Sequence, residues 1–411
     1  MTELSRRTAL GLIPAGVGLA ACGGGGSDTQ GQIIRELTTG PADKRAPAAG
    51  FVIMRDGAIL ASEAFGFASG LSVAEQAAGI EMRRFRIDTP FRAASVSKLA
   101  TAMVAADLHR SGAIDWDEWL YELMGLSAPG VFDTAFTVPE LLSHTSGFID
   151  PDVYWFAHPA QSPLRKTIHY ERVSPREFRY CNIGYAWVAT ALETWTGKRF
   201  DNLFANFIRP VSIDAGFNWS GVSQQKRARG ASLYRETRDG WQVQTDGPDV
   251  LSAATPAVLI DQGAALSTYT PGQNGTLFSP QGGLRASLTD LAKLVQLLAN
   301  TPELTTPVWT LNDDASNGVH DQRYFTQFGT GVHIHPADES PWPGQTMWGH
   351  HGEAYGLYAG AWYLPDLDIS LSYAVTGTPE TPPARSKVHP ALNTFTEPLL
   401  RAAQLAYARH A

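Results

Sequence analysis

The chain has 411 residues, 44% of them hydrophobic and 10% aromatic, with a formal net charge of -8. That content is ample for a sizeable core in one large domain or two, with disorder confined to the start. The acidic balance and the lack of long basic stretches exclude a nucleic-acid binder, because phosphate contacts need clustered lysine and arginine.

The first twenty-two residues differ from the rest. Ser5-Arg6-Arg7-Thr8 is polar and basic, residues 9–21 are apolar and small, and Leu19-Ala20-Ala21-Cys22 closes the segment, which reads as a bacterial export signal. Arg6-Arg7 suits a twin-arginine signal, and a general secretory route accepts it too. Leu19-Ala20-Ala21-Cys22 resembles a lipoprotein processing box, in which Cys22 becomes the lipid-bearing first residue. The chain's two cysteines are Cys22 and Cys181, and a disulfide between them would tie the extreme start to the middle of a domain, so anchoring is the better reading of Cys22. The expected location is the periplasm or cell surface, with membrane attachment through the lipid. Residues 23–45, opening on four glycines, have tether composition, and a hydrolase-sized domain is expected over 46–400.

Apolar strands at 51–54 and 59–63 flank Arg55-Asp56-Gly57-Ala58, a hairpin signal. Periodicity predicts helices over 99–109, 138–142, 183–195, 200–207 and 288–299, and further strands over 329–334, 346–349, 356–364 and 367–376. Sheet material at both ends with helices between them implies an α+β fold of the α/β-sandwich kind. An antiparallel sheet is flanked by terminal helices, and a mostly helical subdomain is inserted over about 110–280. Ser287 or Thr289 caps the last predicted helix, and Gly282-Gly283 before it suggests a close backbone approach or a positive dihedral.

Ser95 and Lys98 stand three residues apart where a polar loop turns into the apolar helical run of Leu99, Met103, Val104 and Leu108. With a helix starting near Ser95, both side chains share a face, and an amine lies beside a hydroxyl. Tyr180 and Asn182, one residue apart at the mouth of a helix, place a phenol and an amide in reach of one pocket. Trp348-Gly349-His350-His351-Gly352-Glu353 adds a third piece, with His350 and Gly352 on one strand face. A zinc site from His350, His351, His144 and Glu353 has suitable donors, but their spacing matches no common zinc signature, so no metal and no cofactor are expected.

Ser95-Val96-Ser97-Lys98, Tyr180-Cys181-Asn182 and His350-His351-Gly352 resemble, in order and spacing, the three motifs of the serine beta-lactamase and penicillin-binding protein superfamily. The nearer likeness is to its class C branch, with D-alanyl-D-alanine carboxypeptidases, D-aminopeptidases and esterases. Thr89-Pro90-Phe91-Arg92, residues 141–148 and Gly282-Gly283-Leu284 also look like stretches of that branch, and coverage runs from about 45 to 385. The resemblance implies a beta-lactamase/transpeptidase-like fold, with Ser95 as the acylated nucleophile, Lys98 as its activator and Tyr180 as the proton shuttle, its pKa lowered by Lys98 and a cationic His350. Asn182 would orient Lys98 and bind the substrate amide, while His350 would line the opposite wall and contact the leaving side or a substrate carboxylate. Gly352 leaves room for the substrate backbone, and the main-chain N–H groups of Ser95 and Glu353 would form the oxyanion hole. His144 reads as structural, Cys181 as buried filler, and Tyr154-Trp155-Phe156 as a loop over the cleft.

Where lactamases carry lysine in the third motif this chain carries His350, which favours a D-alanyl-D-alanine carboxypeptidase-like or esterase activity over a class C beta-lactamase or D-aminopeptidase. Glu353 would repel a terminal carboxylate, which favours an ester, an amide without a free carboxylate, or an amine-ended substrate over a peptidoglycan-type peptide. A noncatalytic cell-wall-binding protein on the same fold would have no chemical reason to retain the full serine, lysine, tyrosine and asparagine set.

Overall fold

The computed structural model describes residues 29–39, 46–123, 136–151, 177–217, 219–244, 269–379 and 383–410. Cys22 and Tyr154-Trp155-Phe156 lie outside these residues. Among the described residues, no helix is long and apolar enough to cross a membrane.

A nine-stranded sheet forms the centre of the molecule. In chain order its strands are β1 (Ala48–Arg55), β2 (Ala58–Ser69), β3 (Arg83–Arg84), β4 (Trp309–Thr310), β5 (Gln327–Phe328), β6 (His333–His335), β7 (Met347–Ala354), β8 (Leu357–Leu364) and β9 (Ile369–Thr376). Their spatial order is β3-β2-β1-β9-β8-β7-β6-β5-β4, antiparallel throughout, so the N-terminal hairpin docks on the last strand of the chain. The hairpin signal is explained by Asp56 (φ 52°) and Gly57 (φ 75°), whose left-handed dihedrals match the twist of the flanking strands.

Both faces of the sheet are covered. Along β1, Val52 and Met54 join one apolar core while Phe51 and Ile53 join another, as the two-residue side-chain period requires. The first core is shared with the Ser97–Arg110, Ile183–Thr196 and Leu288–Gln296 helices. The second is shared with the terminal helices Thr29–Thr39 and Thr396–Tyr407, which contribute Ile34, Leu37, Leu399 and Ala403. The expected tether over 23–45 is therefore corrected at Thr29–Thr39, where Ile34 and Leu37 fall on one helix face and bury against the sheet. The strand expected over 329–334 is His333–His335, because Gly331 takes φ 79° and Gly329 N–H turns back to the Val332 carbonyl.

The intervening region is not purely helical. It includes the hairpin Leu233–Thr237 and Gly240–Gln244, paired with Thr378–Pro379, and the short strand Gly216–Phe217. That short strand belongs to a three-stranded sheet with Phe91–Arg92 and Leu284–Ala286, which joins the approach to Ser95 with the Gly282-Gly283 segment. These glycines permit close approach rather than a positive φ: a Cβ on Gly283 would meet the Phe278 carbonyl at 2.7 Å. Ser287, not Thr289, caps the following helix in a reciprocal pair with Asp290.

Docking of the first helix on the sheet has a measurable consequence. Ile34→Ala is expected to cost about 2–5 kcal/mol, the usual range for a buried large-to-small change. Denaturant unfolding of the full chain measures this, whereas a tether at that position would leave the midpoint unchanged.

Candidate active site

Ser95 lies in a short 3-10 turn, Ala94–Val96, immediately before the Ser97–Arg110 helix. Ala94 has φ 48°, a left-handed conformation that costs a non-glycine residue about 1–3 kcal/mol. Ser97 holds the turn: its buried hydroxyl donates to the Ala94 carbonyl at 2.6 Å and accepts the Leu284 N–H at 2.9 Å. Of the two serines, Ser95 lines a cavity of about 1010 Å³ and Ser97 supports it from behind.

Lys98, one turn on, is fully buried. Its amine lies 3.2 Å from Ser95 Oγ, 2.7 Å from Asn182 Oδ1 and 3.1 Å from the Gln281 carbonyl oxygen. Burial holds its pKa at about 7, against an ordinary 10.5; Asp150 and Cys181 push the other way, and the Arg92 charge adds to the lowering. A neutral amine has two hydrogens and one lone pair. Asn182 and Gln281 take the hydrogens, and the lone pair is left for the Ser95 hydroxyl proton.

Asn182 is in turn held by Asp150, which sequence reasoning missed. The Asp150 carboxylate accepts the Asn182 N–H at 2.6 Å, the Ile183 N–H at 2.8 Å and the Asn182 side-chain Nδ2 at 2.7 Å. One carboxylate thus satisfies amides at the start of the Ile183–Thr196 helix, where the helix dipole favours negative charge, and turns the Asn182 carbonyl oxygen toward Lys98. Because Asp150 stands 32 residues before Asn182, no local pattern connects the two.

Tyr180 lines the cavity with its ring between His144, at a centroid distance of 4.4 Å, and Phe325, at 5.3 Å. The Lys98 ammonium nitrogen lies 4.7 Å from the centre of the Tyr180 ring. His144 sits in a left-handed turn (φ 61°), accepts the Cys181 N–H on Nδ1 at 3.0 Å and takes the Arg179 N–H on its carbonyl. Burial, followed by the Lys98 charge, pushes its pKa well down, so it acts as a neutral tie between two loops. Cys181 is buried, with Sγ 3.4 Å from Asp150.

The opposite wall is β7. Strand β6 pairs with only Met347–Gly349 of it, so from His350 onward the outer edge of β7 faces the nucleophile turn instead of another strand. Gly352 makes that approach possible: a Cβ there would meet the Ala93 carbonyl at 2.5 Å. His350 and Glu353 line the cavity beside Ser95, and the exposed Glu353 carboxylate accepts the Tyr358 hydroxyl at 3.0 Å.

His350 departs from expectation. Its Nδ1 lies 2.5 Å from the His351 carbonyl oxygen, which only accepts, so Nδ1 carries the proton. Burial and then the Lys98 charge hold its pKa down at about 3, which leaves Nε2 as a buried lone pair with no partner among the described residues. A neutral His350 supplies no positive charge to Tyr180 or to a substrate carboxylate. The sequence-based zinc alternative is also rearranged, because the His351 side chain joins His333 and His335 on the other face of the sheet.

The chain matches the beta-lactamase family over residues 32–393 and belongs to it. With Ser95 and Lys98 in contact, it is a serine hydrolase of the beta-lactamase and penicillin-binding protein superfamily. Solved structures share the fold. D-amino acid amidase from Ochrobactrum anthropi SV3, complexed with L-phenylalanine amide, is 16% identical with a TM-score of 0.61, covering 92% of this chain and 98% of that one. The octameric penicillin-binding protein homologue from Pyrococcus abyssi is 18% identical with a TM-score of 0.61, over 88% and 74%. SurE is 22% identical with a TM-score of 0.55, over 85% and 72%. No curated protein matches the chain in sequence.

Asp150→Ala removes the group that aims Asn182 at Lys98. Loss of a hydrogen bond to a charged group, about 1.5–3 kcal/mol, corresponds to roughly 10- to 150-fold in rate. Burst kinetics are expected to show Ser95 acylation slowed by that factor, with unfolding at lower denaturant; an unchanged acylation rate would separate Asp150 from the site.

Proposed function

We propose that the protein is an exported hydrolase that forms an acyl-enzyme on Ser95 and acts on amides or esters of the amino-acid amide type rather than on a carboxylate-terminated D-alanyl-D-alanine peptide. The observation that carries the acyl-enzyme is the buried Lys98 amine between Ser95 Oγ, Asn182 Oδ1 and the Gln281 carbonyl. Neutral Lys98 takes the Ser95 proton as Oγ attacks the substrate carbonyl. The oxyanion forms against the main-chain N–H groups of Ser95 and Glu353, where one donor is worth about 2.7–4 kcal/mol. Tyr180 passes the proton to the leaving nitrogen or oxygen and then helps water to attack the ester. Asn182 and Gly352 accommodate the substrate's amide and backbone.

The substrate class rests on the character of the wall. His350 and Gln281 both line the cavity, and each keeps a buried acceptor, Nε2 and Oε1, without a partner among the described residues, while Glu353 adds a carboxylate at the rim. Two unmet acceptors and a carboxylate suit a substrate that brings N–H donors or an ammonium group, since a buried acceptor left unmet costs about 1–3 kcal/mol. The amidase among the structural neighbours agrees with this direction. Export and membrane attachment through Cys22 belong to the same proposal and rest on residues 5–22; loss of lipid incorporation in Cys22→Ser tests that part.

A panel of D-amino acid amides, short-chain aryl esters, D-alanyl-D-alanine peptides and a chromogenic cephalosporin tests the reading. Amides and esters are expected to turn over fastest, and Ser95→Ala is expected to abolish both turnover and labelling by a serine-reactive acylating probe. Glu353→Ser is expected to improve the carboxylate-ended peptides by about fivefold, the worth of one screened charge at close range. Fastest turnover of those peptides by the wild type, or a profile unmoved by Glu353→Ser, would reject the substrate assignment.

A further inference from the structure

Behind the cleft wall, on the face of the sheet opposite His350, three imidazoles converge. His333 and His335 alternate along β6, and His351 comes from β7; the pairing of His333 with Gly349 sets all three on one face. All three are buried, and one ring nitrogen from each lies within 4.8 Å of the others. His335 Nε2 and His351 Nε2 are 3.3 Å apart, which equals the roughly 3.3 Å between two ligands of a tetrahedral ion with metal–nitrogen bonds of about 2.05 Å.

One further observation points to a ligand there. Neither ring nitrogen of His333 has a hydrogen-bond partner among the described residues, although the side chain is fully buried. Buried polar groups are normally paired, and an imidazole with both nitrogens unmet needs an explanation. Gly360, opposite His351, lets the Tyr373 and Trp362 side chains pack close beside the cluster: a Cβ on it would meet Tyr373 Oη and Trp362 Nε1, both at 2.6 Å.

We propose that His333, His335 and His351 bind one zinc-class divalent ion that clamps β6 to β7. Three neutral imidazoles around an open fourth position form a common zinc donor set, and imidazole suits this class of metal. Tyr373 Oη lies 3.4 Å from His351 Nδ1, as a partner that fixes the ring and leaves Nε2 for the metal. Set behind the cleft wall, the ion would hold β7 beside His350, which lines the cavity with Ser95.

The test uses the untagged full chain, stripped of metal with chelator, and zinc sulfate alone. Calorimetry is expected to find one equivalent bound, with a rise of several degrees in Tm. His333→Gln and His335→Gln are expected to weaken binding by more than ~100-fold, beyond the 10- to 100-fold typical of outer partners, and Tyr373→Phe within that range, while the metal-free Tm of Tyr373→Phe stays near wild type. Should the histidine variants fail to fold, zinc X-ray absorption of the wild type decides, with three imidazole nitrogens at about 2.0–2.1 Å expected. Folded wild type that binds no zinc, equal affinity in all variants, or fewer than three imidazoles around the ion would overturn the proposal.

Discussion

The site depends on one buried amine. Lys98 is removed from water, and an uncompensated buried ammonium costs several kcal/mol, so the fold holds it near the point where it is as easily neutral as charged. Its three partners come from the nucleophile turn, the mouth of the Ile183–Thr196 helix and the segment before Leu284–Ala286. Each of these is fixed by something else: Ser97 ties the nucleophile turn to Leu284, Asp150 sets Asn182, and the three-stranded sheet aligns Phe91–Arg92 with Leu284–Ala286. The amine is where three distant parts of the chain are brought into register.

The sheet explains why β7 can serve two purposes. Because side chains alternate, His350 faces the catalytic layer and His351 faces the layer covered by the terminal helices. Truncation of β6 against β7 frees the edge beyond Gly349, and Gly352 lets that edge approach the Ala93 carbonyl. The same short strand that exposes the cleft side of β7 supplies His333 and His335 behind it.

Periodic segments were legible in the sequence. The helices at Val138–Leu142 and Ile183–Thr196, the Asp56-Gly57 hairpin and the last two sheet strands follow from apolar spacing and turn chemistry alone. Ser95, Lys98, Tyr180, Asn182 and His350 were legible through their motifs, and the structure gathers all five around one cavity or its buried amine. What escaped were contacts with no local pattern. Asp150 acts across 32 residues, the His333–His335–His351 cluster needs strand register, and the Thr29–Thr39 helix is stabilised by burying Ile34 and Leu37 against the sheet rather than by its polar, glycine-containing sequence. The charge state of His350 escaped for the same reason: it is set by burial and by a bond to the His351 carbonyl.

The central claim is that neutral Lys98 activates Ser95. It is tested most directly by the rate constant for acylation of Ser95 by a stoichiometric serine-reactive probe, followed by intact mass as a function of pH. A lowered amine pKa means that the reactive, unprotonated fraction grows as pH rises through about 7 and is complete above it. The rate is therefore expected to climb with pH below about 7 and then level off. A rate that continues to climb toward the ordinary lysine value of 10.5, or that shows no inflection near 7, would contradict the account.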